Sequence, residues 1–294
     1  MKIERFAMVS NANFLQGRVA VITGAANGIG LALALEAARR GMDVTLADIG
    51  EDALRDAQAQ VMALGVRTIA VRTDVRDIEQ VSRLEQETIA QLGEPWLVCN
   101  NAGIARIALA WETSEADWRR KIDINVWGVI NGLLTFLPGL RERKSGYVLN
   151  TASVGGLLSM PANAAYVASK HAVVGMSETL YRELEADGSG VGISVLCPAL
   201  VRTAIAGTRE VDGKQVSVLD SPDAMDPADV ARVTFDAIIG GQFWILTHAE
   251  HVAPKMRARL EQMIAQHNPD HASVDPAIEL TASKATGVDF VHAG

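Results

Sequence analysis

Residues 18–48 read RVAVITGAANGIGLALALEAARRGMDVTLAD: an apolar run, a glycine-rich turn, a helical pattern and a second apolar run that ends on a carboxylate. RVAVITG (18–24) and DVTLAD (43–48) are strand-like, and LALALEAARR (31–40) between them has helical spacing, so the stretch predicts a βαβ unit. The turn Thr23-Gly24-Ala25-Ala26-Asn27-Gly28-Ile29-Gly30 carries the chemistry. Glycines let a backbone turn tightly and approach a ligand, while the free amides and positive dipole end of the next helix attract a pyrophosphate. Gly24, Asn27, Gly28, Ile29 and Gly30 are therefore candidate cofactor-binding residues. An ordinary turn can look the same, and Asp48 is what discriminates. It lies 18 residues after Gly30, where a dinucleotide fold places a carboxylate to accept hydrogen bonds from the adenosine ribose. A carboxylate there repels a 2′-phosphate, and neither Asn27 nor Ile49 offers a cation to welcome one. The expected cofactor is NAD in preference to NADP. Arg39 and Arg40, at the far end of the helix, are read as a solvated face.

Outward from this unit the alternation continues. A helix is expected around Asp52–Leu64, a strand near Arg67–Val71, a helix around Ile78–Gln91 and the strand WLVCN (96–100). Ser114 ahead of Glu115 and Asp117 is an N-cap signal for a helix to about Phe136. YVLNTAS (147–153) and GISVLCP (192–198) are strands flanking a long helix, about 166–186, with Tyr166 near its start. Asp226-Pro227 opens a helix through Ile239, QFWILTH (242–248) is a final strand, and His251–Gln266 reads as helical. The strands do not alternate strictly, as expected when helices cover both faces of a parallel sheet. The expected fold is therefore a single-domain α/β, Rossmann-type, doubly wound parallel sheet of about seven strands. A leader is expected over 1–16, the catalytic domain over 17–250, and a helical extension and tail over 251–294, with 267–294 polar and aperiodic.

Composition narrows the function. With 294 residues, 49% of them hydrophobic, the chain can bury a large core. A net charge of -8, with no cluster of basic residues, argues against a nucleic-acid partner. Cys99 and Cys197 sit in apolar runs, which suits buried reduced thiols. No stretch approaches the roughly 20 apolar residues of a membrane span, and no apolar signal core is evident near residue 1. A cytoplasmic protein is expected. No His, Cys, Asp or Glu spacing suggests a metal site.

Tyr166 and Lys170, four residues apart on one helix, share a face. Ser153 ends a strand at the sheet edge where ligands of open α/β sheets bind, so three polar groups converge beside the expected nicotinamide. In these features the chain resembles the short-chain dehydrogenase/reductase family, over about residues 17–250. TGAANGIG (23–30) is similar to its cofactor loop and NNAG (100–103) to its sheet-stabilising turn. The resemblance implies a catalytic tetrad of Asn125, Ser153, Tyr166 and Lys170, and adenine contacts from Asp74 with the adjoining Val75. It also implies cofactor contacts from Asn101, Ala102 and Gly103 and from Pro198, Val201 and Thr203, besides Tyr166 and Lys170. Tyr166 would be the general acid and base, Ser153 would hold the substrate oxygen, and Asn125 would interrupt its helix to hold a relay water. The family usually forms dimers or tetramers, and the helices near 114–136 and 166–186 are the candidate interfaces.

The sequence departs from the family where Pro198-Ala199 replaces Pro-Gly, a methyl that could restrict the backbone. The segment from Ala204 to Met225, polar and turn-rich, occupies the position of the substrate-covering loop and is expected to be mobile. Gly155, Leu157, Met160 and Leu200, with Ser153 and Tyr166, are candidate substrate contacts. Their apolar character points to a hydrophobic secondary alcohol or ketone. Two other readings use the same fold: a non-catalytic NAD-binding sensor or scaffold, and an epimerase or lyase working by transient oxidation.

Overall fold

Successive side chains of a strand point to opposite faces of its sheet. In β1 (Val19–Thr23), Ala20 and Ile22 enter one apolar layer and Val21 the other. Both faces are buried, which is why the strands read as continuous apolar runs rather than alternating ones. The computed structural model describes residues 14–205, 207–211, 214–217, 222–270, 273–274 and 276–288. Most of the leader expected over 1–16 lies outside the described residues.

After β1 the chain runs through α1 (Gly28–Arg39), β2 (Asp43–Asp48), α2 (Glu51–Met62), β3 (Thr68–Arg72), α3 (Ile78–Gln91) and β4 (Pro95–Asn100). Then follow α4 (Glu115–Ile122), α5 (Gly128–Glu142), β5 (Gly146–Thr151), α6 (Ala164–Asp187) and β6 (Val191–Cys197). A β7–β8 hairpin (Thr208–Val211, Lys214–Ser217), α7 (Pro227–Ile239), β9 (Trp244–Leu246), α8 (Ala249–Ala265) and α9 (Pro276–Thr286) complete the order. Seven strands form one parallel sheet in the order β3-β2-β1-β4-β5-β6-β9. Leu33 of α1, Leu54 of α2 and Phe235 of α7 cover one face; Leu84 of α3, Phe136 of α5 and Leu184 of α6 cover the other. This is the doubly wound Rossmann-type fold, and the strand order reverses between β1 and β4, where such sheets bind ligands.

Several elements differ from the sequence reading. α1 starts at Gly28, not Leu31, because first-turn amides need no helical partner and glycine is tolerated there. The single helix expected from Ser114 to about Phe136 is α4, a π-helical turn at Asp123–Trp127, and α5, which passes Pro138 to reach Glu142. Burial of Phe136 and Leu140 on either side holds it past the proline. Arg40 is only partly solvated: it bonds Glu36 and Asp236 and lies over the Phe235 ring, joining α1 to α7. Ala204–Met225 contains the antiparallel β7–β8 hairpin, and a Val201–Met225 bridge closes the base of this excursion. The tail expected to lack periodicity contains α9, whose described buried residues, Glu279 and Ala282, do not announce an apolar face.

Aligned asparagines fix the sheet to the helix that carries Tyr166. Asn100 and Asn150 are register partners on β4 and β5; Asn100 Nδ2 donates to Asn150 Oδ1 at 2.9 Å and Asn150 Nδ2 to Ser177 Oγ of α6 at 3.0 Å. Gly132 of α5 approaches so closely that a Cβ there would lie 2.0 Å from Asn100 Oδ1. Gly132→Ala should therefore lower stability by about 2 kcal/mol, read as a reduced urea midpoint with an unchanged slope. A midpoint equal to that of the unaltered protein would contradict this packing.

Candidate active site

The segments that follow the strands at the carboxyl edge of the sheet meet around one cavity of about 500 Å³, a size suited to a small-molecule ligand. The first is the turn after β1. Gly24 and Gly28 adopt φ of 67° and 56°, and a Cβ on Gly30 would lie 2.0 Å from the Gly24 carbonyl oxygen. No side chain caps the first amides of α1 and no acid sits in its first turn, so the positive end of the helix is left for an anion. At the end of β2, Asp48 Oδ2 accepts from Ala26 N and Oδ1 from Gly50 N, each at 3.1 Å. Asp48 thus shapes the loop it would help to bind with, and each oxygen keeps a second lone pair for a hydroxyl. These features form a cradle whose glycines, helix end and carboxylate suit a dinucleotide.

After β3, Asp74 and Val75 line the cavity beside Arg76. Arg76 Nε donates to Asp74 Oδ1 at 2.9 Å, and this pairing holds the Asp74 carboxyl below its usual range. The charge of Arg76 is thereby matched within the protein.

Third is the turn after β4. Thr23 Oγ1 accepts from Asn101 N at 3.0 Å and Ala102 N at 3.1 Å, while Asn101 Nδ2 donates to Thr23 O at 3.0 Å. This brings Asn101, Ala102 and Gly103 against the glycine-rich loop. A Cβ on Gly103 would lie 3.3 Å from Asn125 Oδ1 and 3.5 Å from Lys170 Nζ, which locates those two groups side by side. Asn125 sits inside the π turn. Its Oδ1 accepts from Ile104 N at 2.9 Å, and its Nδ2 donates to Ile104 O and to Ser169 Oγ, each at 3.0 Å. Ser169 Oγ in turn donates to Tyr166 O at 2.7 Å. The asparagine side chain thus fastens the cavity wall to the Tyr166 helix, spending both amide hydrogens and one of the two Oδ1 lone pairs.

The fourth segment is built on β5 and α6. Ser153 Oγ accepts from Gly155 N at 3.1 Å and interacts with the Tyr166 hydroxyl. Burial pushes the Tyr166 phenol upward, and Ser153 pulls it partly back. Lys170 is 2% exposed; its Nζ donates to Thr151 O at 2.9 Å and lies 5.6 Å from the Tyr166 ring centre. Burial pulls this ammonium down to about 8. Cys197 is buried nearby, its thiol pushed up to about 12, which makes it a poor nucleophile.

Pro198, Ala199, Leu200, Val201 and Thr203 close the cavity after β6. Thr203 Cγ2 would be 3.3 Å from a Cβ on Gly28, so this strand end folds back over the glycine-rich loop. Ala199 is not among the residues with positive φ, so its methyl introduces no backbone strain.

All the expected cofactor-binding residues border this cavity, as do Ser153, Met160, Tyr166 and Leu200. Gly155 and Leu157 do not. Gly155 lies behind Met160, and Leu157 packs with Val173 and Val174 in the core while its carbonyl accepts from Arg259 Nη1 at 2.9 Å. Sequence reasoning missed Ser169, whose only signal was its place beside Lys170. It also missed Ile107, Asn163 and Ala282, which reach the cavity from loops and from α9. Among the described residues, no cluster of three His, Cys, Asp or Glu could hold a metal, and no helix is long and apolar enough to cross a membrane.

A cavity of this kind at the switch point of such a sheet defines the class, a Rossmann-type dinucleotide-binding fold. A family model described as short chain dehydrogenase matches residues 18–213. 1-Deoxy-11-beta-hydroxypentalenate dehydrogenase of Streptomyces exfoliatus is 35% identical over 245 residues, 80% of this chain and 85% of that one. The crystal structure of a short chain dehydrogenase/reductase from Burkholderia phymatum in complex with NAD is 38% identical, with a TM-score of 0.79 over 89% of this chain and 98% of that one. The apo form of LigO from Sphingobium sp. strain SYK-6 is 32% identical, with a TM-score of 0.73 over 86% of this chain and 89% of that one. The chain belongs to the short-chain dehydrogenase/reductase family.

A lysine pulled down by burial binds fewer protons in the folded than in the unfolded state between about 8 and about 10.4, so stability rises with pH across that window. Below about 8 the folded protein carries the full cost of the buried charge. Lys170→Met should therefore be more stable than the unaltered protein at pH 7, by on the order of 2 kcal/mol, with the gain vanishing toward pH 10.4. Urea titrations at both pH values test this, and a gain that does not shrink with pH would refute it.

Proposed function

We propose that the protein is an NAD-dependent oxidoreductase that moves a hydride between the nicotinamide ring and a hydrophobic secondary alcohol or its ketone. The observation that carries this reading is the convergence of Ser153, Tyr166 and Lys170 at the edge of the cavity that the glycine-rich loop opens. When bound, the nicotinamide supplies the hydride donor or acceptor and, in its oxidised form, a positive charge near the phenol.

The remaining chemistry belongs to the chain. Ketone reduction needs a proton for the forming alkoxide, and alcohol oxidation needs a base to take one. Tyr166 serves both ends. Burial alone makes its phenol a reluctant base, so ionisation depends on cations around it, and Lys170 keeps its charge below about 8. Bringing a tyrosine from about 10 to near neutrality takes ~4 kcal/mol, a plausible yield from close charges in a partly dry site. Ser153 holds the substrate oxygen and fixes the carbon for hydride transfer. Asn125 and Ser169 keep the Tyr166 helix in place against the cavity wall.

Asp48 supports NAD over NADP, because its charge opposes a 2′-phosphate and Arg76 is already matched by Asp74. The substrate reading rests on Ile107, Met160, Leu200 and Ile205, apolar residues along the cavity. The Streptomyces exfoliatus relative's name likewise describes dehydrogenation of a hydroxy compound.

Purified protein with NAD and a panel of secondary alcohols should show turnover, followed by absorbance of the reduced cofactor. Tyr166→Phe should lower it roughly a thousandfold while NADH binding persists; undiminished turnover would sink the mechanism. Asp48→Asn should shift the ratio of NADP to NAD use upward roughly tenfold. A native enzyme that already prefers NADP would reverse the reading of Asp48.

A further inference from the structure

α9 reaches the cavity although nothing in its sequence marks it as part of a site. Ala282 is 1% exposed, borders the cavity and packs with Leu109 and Ala162, with Ile107 against the same cluster. These contacts belong to two different loops. Ile107 and Leu109 follow the turn after β4, whereas Ala162 lies between Met160, which borders the cavity, and Asn163, which caps α6. Ala108 N donates to Ala162 O at 2.8 Å, and Ala162 holds a left-handed φ of 55°, so the loops meet at a fixed seam. α9 lies across that seam. Glu279 and Ala282 are buried and Thr286 is half-buried, at spacings of three and four residues, whereas Lys284 and Ala285 are exposed. The described buried positions share one side of the helix, and a small residue, Ala282, is placed where helix and cavity touch.

We propose that α9 is the wall that sets substrate size, with Ala282 as its specificity-determining residue. The ligand class is an apolar ketone or alcohol with a ring-sized body that fills the space between the 160–163 loop and α9. The inference takes the reaction from the hydride-transfer reading, but binding tests it without turnover. A side chain longer than alanine at 282 either enters this space or lifts the helix off the seam, and both alter the room available to a bulky ligand before they alter the room for a small one.

The experiment uses the full chain saturated with NAD, which has no hydride to give a ketone, and 2-acetylnaphthalene as probe, with affinity measured by calorimetry. Ala282→Phe should weaken probe binding about tenfold while NADH affinity, measured by its fluorescence, is retained. In turnover with NAD it should raise KM for 1-(2-naphthyl)ethanol by a similar factor with little change in kcat, and leave 2-butanol within about twofold. Ala282→Val makes the same comparison with a smaller intrusion, should Ala282→Phe lose NADH binding and hence its fold. The proposal is overturned if the native protein does not bind the probe, if both variants bind it as the native protein does, or if the two alcohols suffer equally. A native protein that binds the probe in an Ala282-dependent way but oxidises neither alcohol upholds the wall and sinks the hydride-transfer reading alone.

Discussion

The Thr23 hydroxyl joins the two strand ends between which the cavity opens. Parallel strands that diverge at a switch point leave backbone amides pointing into a crevice, and at β1 and β4 these amides need a partner. Thr23 accepts from two of them and Asn101 returns a bond to the Thr23 carbonyl, so the glycine-rich loop and the turn after β4 hold one geometry together. Each such bond contributes about 1 kcal/mol. Their greater effect is positional: with Gly24 packed on Ala102, the cradle for a dinucleotide and the wall beside Lys170 are placed by the same few atoms.

Much of this was legible in the sequence for identifiable reasons. The βαβ pattern around Gly24–Gly30 and the apolar runs at 43–48, 96–100, 147–153 and 192–198 follow from local propensity and two-sided burial, which act within a few residues. Tyr166, Lys170, Ser153 and Asn125 were legible as residues because their chemistry and order are distinctive. What they touch was not. That Asn125 spends its side chain on Ile104 and Ser169, or that Leu157 turns into the core, depends on contacts between segments far apart in the chain. α9 escaped notice because alanine is informative about helix propensity and silent about which face is buried.

The active site sits in tension with the stability of its surroundings. Tyr166 and Lys170 are both buried, and burial opposes the charged state each would need, raising the phenol and lowering the ammonium. A cavity evolved for stability alone would place neither group there. Thr151 Oγ1, buried without a hydrogen-bond partner, adds a further polar cost to this part of the core.

The π turn at Asp123–Trp127 has a consequence for how the long helix is phased. Such a turn holds one more residue than an α-helical repeat, so it offsets the angular register of α4 from that of α5 by about 100°. The half of the helix beside the cavity and the half packed on the sheet thus present faces set by different phases. α5 presents Phe136 and Leu140 inward while Leu134, 63% exposed, faces out, and α4 keeps Lys121 buried. The π turn works as a phase shifter: it lets one continuous run of helix turn one face to the cavity and another to the sheet.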